Sequence, residues 1–151
     1  FFKKKNYKEV ELKEFSILYL IINNLHVFEK RIELLSELKL YTEICVDFLN
    51  KIIDFLSSNK TFETNTLKEK FKQTKYLSLI NDISALAPVK FITEIKKNDD
   101  EILLIFDEIN NDLKKFELNQ KIDNLEKKMI QNMNEETYKE LLDLKRQANN
   151  G

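Results

Sequence analysis

One histidine and one cysteine, His26 and Cys45, bound the side-chain chemistry open to this 151-residue chain. An imidazole serves as general base or metal ligand near neutral pH. No cysteine or carboxylate cluster stands at ligand spacing beside His26, so it reads as a surface or helix-start residue. A catalytic thiol needs a basic neighbour and some exposure. Cys45 falls instead on the apolar side of a helical pattern with Ile44, Phe48 and Ile52, and reads as core. Asp99, Asp100 and Glu101 place three carboxylates in a row, but successive helical residues point about 100° apart. They diverge, and read as a helix start. The only glycine is Gly151, so there is no glycine-rich phosphate loop. No catalytic residue, metal site or cofactor is expected, and the chain is not expected to be an enzyme by itself.

Two further local patterns have bland readings. The stretch from Phe1 to Lys8 (FFKKKNYK) interleaves aromatics with lysines, a composition able to stack on and neutralise single-stranded nucleic acid. It reads as a solvated linker. Asn59-Lys60-Thr61 matches a glycosylation acceptor by chance. With no initiator Met, the chain is expected to be a piece of a longer protein. A single cysteine permits no internal disulfide and fits a reducing compartment. The apolar stretch Ile17 to Ile22 is far short of the ~20 residues that span a bilayer, and no signal peptide is visible. A cytoplasmic location is expected, with no membrane partner.

Composition points to helices throughout. Hydrophobic residues make up 42% and include 11 Phe, enough for a real core, while one Gly and one Pro leave almost no turn punctuation. The net charge of −1 hides an asymmetry: residues 1–98 carry 17 basic and 13 acidic side chains, residues 99–151 carry 8 and 13. A bundle at +4 with a tail at −5 fits protein partners better than nucleic acid.

After a linker over 1–9, a helix from about Val10 to Asn24 is apolar nearly all round, the mark of a bundle centre. A second short helix is expected from about Val27 to Leu35. A third starts near Thr42, its N-cap, and carries Ile44, Cys45, Phe48, Ile52, Phe55 and Leu56 inward. Thr66-Leu67-Lys68-Glu69 has capping-box spacing and opens a short fourth through Phe71. A fifth covers Lys75 to Leu86, with Leu77, Ile80 and Ile83 inward. Pro88 can begin a sixth segment. Asn98-Asp99-Asp100-Glu101 is a second capping box, with acids where the helix dipole favours them.

The long helix that follows, Asp99 to about Gln131, changes its apolar side partway along. Ile102, Phe106, Ile109, Leu113 and Phe116 share one stripe; Leu118, Ile122, Leu125 and Met129 form another, about 160° away. Such a helix serves two neighbours in turn. A final helix from Glu135 to about Ala148, with Asn134 as cap, should fold back as the second arm of a hairpin. It has two apolar edges: Tyr138, Leu142 and Arg146 on one, Leu141, Leu144 and Ala148 on the other. The facing stripe can cover only one of them, so apolar surface should remain for a partner.

Residues 14–28 (EFSILYLIINNLHVF), the bundle segments through Phe91 and the ending NEETYKELLDLKRQ together resemble the C-terminal helicase-binding domain of bacterial replicative DNA primase. The resemblance covers roughly residues 10–148. It rests on apolar pattern, segment order, a Leu/Ile-rich first helix closing at Asn23-Asn24, and the form Asn-Glu-Glu-x-x-x-x-Leu-x-x-Leu at Asn134 to Leu144. The family often has a proline just after the first helix, where this chain has Leu25-His26.

The resemblance implies an all-α helical bundle followed by a helical hairpin. It also implies docking on the N-terminal region of the hexameric replicative helicase, which holds primase at the fork within the primosome. The resemblance also implies that the zinc-binding and polymerising domains of such a primase, which make the RNA primer, would lie upstream of these residues. Some relatives also bind the acidic tail of single-stranded DNA-binding protein. The expected organisation is a linker over 1–9, a bundle over 10–116 and a hairpin over 117–151. The expected contact residues are Tyr138, Leu141, Leu142, Lys145 and Arg146. The competing reading is an unrelated helical domain that self-associates through residues 118–148; the irregular apolar spacing beyond Met129 weighs against such a coiled coil.

Overall fold

A computed structural model describes residues 8–58, 62–86, 97–131 and 135–150. Among them the chain is all-α: α1 Glu9–Ile22, α2 Leu25–Glu29, α3 Ile32–Glu37, α4 Glu43–Ser58, α5 Thr64–Lys70, α6 Lys75–Leu86, α7 Asp99–Gln131 and α8 Glu135–Asn150. Most of the expected linker, the Asn59–Thr61 match, the Pro88 segment with Phe91, and the Asn134 cap lie outside the described residues. No described helix is long and apolar enough to cross a membrane. By internal contacts the chain divides into two units, Phe1–Asn110 and Asn111–Gly151, so α7 contributes to both.

The first unit is built round α1, in which Ile17, Leu18, Leu20, Ile21 and Ile22 are fully buried. A helix apolar on every side has to be enclosed, and α6, α4 and α2 all pack against it. Its C-terminal carbonyls are satisfied one after another. The Asn23 and Asn24 side-chain amides donate to the Tyr19 and Leu20 carbonyls at 2.9 Å each, and the Thr64 hydroxyl donates to that of Ile22 at 2.7 Å. The double asparagine therefore closes α1 chemically as well as by position.

Two boundaries differ from the sequence expectation. The single helix expected over Val27 to Leu35 is two, because Arg31 leaves helical geometry (φ −132°, ψ 46°) and its guanidinium donates to Glu33 at 2.7 Å. Burial of Leu25, Val27 and Phe28 before the break and Leu35 after it outweighs the continuity of the pattern. Helix α5 opens at Thr64, with Thr66 inside it rather than capping it. The N-cap is Glu63, three residues earlier, and the bond from Thr64 to the end of α1 holds the first turn there. Helix α6 spans Lys75–Leu86 as expected, burying Tyr76, Leu79, Ile80 and Ile83, with Leu77 half-buried.

Aromatic rings lock these helices together. Phe48 of α4 stacks on Tyr76 of α6 with centroids 5.7 Å apart, and Phe71 meets both edge-on at 5.8 and 5.5 Å. Phe28 of α2 meets Phe106 of α7 at 5.3 Å, which anchors the first half of the long helix in this unit. That helix begins with the expected reciprocal cap: the Glu101 backbone N–H donates to Asn98 Oδ1 at 2.9 Å, and the Asn98 N–H to Glu101 Oε1 at 3.3 Å.

Candidate functional site

Residues singled out for chemistry take structural positions. Cys45 is buried, and burial, with the Glu14 and Glu11 charges adding to it, pushes its thiol up to about 12. His26 is exposed, with Nε2 3.8 Å from Asp99 Oδ1. Asn98 and Glu101 cap α7, and among the described residues no group of three His, Cys, Asp or Glu could hold a metal ion. The Phe1–Lys8 segment lies outside the described residues except for Lys8, whose backbone N–H donates to Glu11 Oε1 at the start of α1.

The long helix changes its covered side where the pattern places the change. Ile102, Phe106 and Leu113 are buried on the first stripe, with Ile109 and Phe116 half-buried. From Leu118 onward the half-buried positions are Leu118, Ile122, Leu125 and Met129 on the second stripe, and Glu126 beside it. Between those two runs the helix rotates its protected face by about 160° without breaking.

In the second unit, Lys145 Nζ of α8 lies 3.0 Å from Glu126 Oε1 of α7, a direct link between the two helices. With only residues 132–134 between them, two helices tied in this way run antiparallel. On α8, Thr137, Leu141, Leu144 and Ala148 occupy an arc of about 60°. These four are the only buried or half-buried positions among its described residues.

The outer edge stays open. Tyr138 is 50% exposed and Leu142 is 42% exposed, one helical turn apart and on average about 110° round from the covered arc. Their neighbour Leu141 is only 6% exposed. Of the five residues expected to meet a partner, the structure therefore brings Tyr138, Leu142, Lys145 and Arg146 to one exposed face and turns Leu141 inward. The surface carries its own charge pairs, Lys145 with Glu126 and Arg146 with Asp143 at 4.0 Å. Lys139 with Glu135, also at 4.0 Å, adds a third on the same helix.

Sequence reasoning passed over two residues. Ile130 is 85% exposed, one position beyond Met129 and about 100° off its stripe; the heptad-like pattern draws attention to its neighbour instead. Glu14 is wholly buried in the middle of α1, where a carboxylate set against the apolar run from Phe15 to Ile22 is the available signal.

The chain is thus an all-α protein of two units whose last helix keeps an apolar edge exposed. No protein-family model, curated protein or solved structure matches it.

Proposed function

We propose that this chain is a non-catalytic tethering module, of the kind formed by the helicase-binding domain of bacterial replicative DNA primase. In this reading it works in the bacterial cytoplasm and docks on the N-terminal region of the replicative helicase, so that primers are made at the fork. The contact is the outer edge of α8, with Tyr138 and Leu142 as apolar anchors and Lys145 and Arg146 at the rim. What supports this is the divided face of α8: Leu141 is spent on the interior while Tyr138 and Leu142, one turn apart, remain in water. Tyrosine is among the residue types that most often dominate binding energy when a partner desolvates them.

The test is calorimetric titration of the chain with the N-terminal domain of a bacterial replicative helicase. Saturable binding is expected, and the double variant Tyr138→Ala, Leu142→Ala should weaken it by at least tenfold, about 1.4 kcal/mol. Full-strength binding by that variant, or none by the unaltered chain, overturns the proposal. Sedimentation of the chain alone separates the self-association reading: a stable homodimer that the same double variant dissociates would replace the tethering role.

A further inference from the structure

We draw no further inference here: the strongest candidate, the shallow groove beside the α3–α4 connection lined by Leu38, Leu40, Val46, Leu49 and Ile53, is an unpartnered apolar face, and nothing in the structure shows what covers it.

Discussion

The Thr42 hydroxyl donates to the Glu14 carboxylate at 2.6 Å, joining two residues 28 positions apart. The same carboxylate accepts the backbone N–H groups of Tyr41 at 2.8 Å and Thr42 at 3.1 Å. A buried carboxylate is costly unless donors replace its water. Here the donors come from the chain leading into α4, whose amino-terminal end also favours negative charge. The pairing is thus mutual: α1 supplies the acceptor, and the start of α4 is fixed against it. Thr42 lies where the sequence places the start of the helix, but its hydroxyl proton goes to Glu14.

Removing that acceptor strands three donors. Glu14→Ala should cost about 3 kcal/mol or more, seen as a lower urea midpoint by far-UV circular dichroism. Glu14→Gln keeps one acceptor oxygen in nearly the same volume and should lose clearly less. Equal losses for the two variants would mean that neither the retained volume nor one amide oxygen holds the junction, and that it needs the charged carboxylate with both oxygens.

Cys45 titrates with the fold. Its thiol is raised from an ordinary 9.0 to about 12, chiefly by burial, so folding favours the neutral form. The stabilisation is complete below the unfolded value, declines as pH rises beyond it, and is gone above about 12. Native protein at about pH 8 should therefore resist an aromatic disulfide reagent, and react fully once urea unfolds it, because the thiolate is the attacking species. Cys45→Ser should flatten the fall in stability on the alkaline side. Rapid labelling of the native chain would show that the thiol is reached without unfolding.

Leu141 and Leu142 are adjacent in sequence and opposite in role. Leu141→Ala removes a buried side chain and should destabilise the second unit by about 2–3 kcal/mol, read as faster amide exchange along α8. Leu142→Ala trims a side chain already in contact with water and should change exchange by less than about 1 kcal/mol. Matching protection losses would contradict the division of the helix face.

How far the sequence carried this description depends on which forces it encodes locally. Apolar periodicity is a property of the chain itself, so the long helix, its change of side and the span of α6 are legible from residue spacing. The Asn98–Glu101 cap is legible for the same reason, since its partners are three residues apart. The bonds from Thr64 to Ile22 and from Thr42 to Glu14 join residues 42 and 28 positions apart, and no local pattern announces them. Those two contacts moved the start of α5 and redirected the Thr42 hydroxyl. At the candidate surface, spacing separated the two edges of α8 but did not say which would be covered. Leu141 shares its edge with Leu144 and Ala148, a continuous stripe of the kind a neighbouring helix covers, and that edge is the one turned inward.

Lys145 and Arg146 offer the sharpest kinetic test of the proposed docking surface. Both are at least half exposed, and their pairings with Glu126 and Asp143 are of the surface kind, contributing roughly 0.2–1 kcal/mol each. Charges at a rim act mainly on encounter, whereas desolvated anchors at the centre govern how long a complex lasts. Reversing both, Lys145→Glu with Arg146→Glu, should slow association with the helicase domain by about tenfold at low salt, with dissociation little changed. The difference should shrink as ionic strength rises towards about 1 M, where the screening length falls to ~3 Å. Tyr138→Ala should behave in the opposite way, speeding dissociation at every salt concentration. Lys145→Gln, which breaks the Glu126 pair without reversing charge, controls for any loosening of α8. Stopped-flow mixing at two ionic strengths resolves the rates. Faster dissociation in the charge-reversed protein, insensitive to salt, would move these two residues from the rim to the buried centre and displace Tyr138 as the anchor.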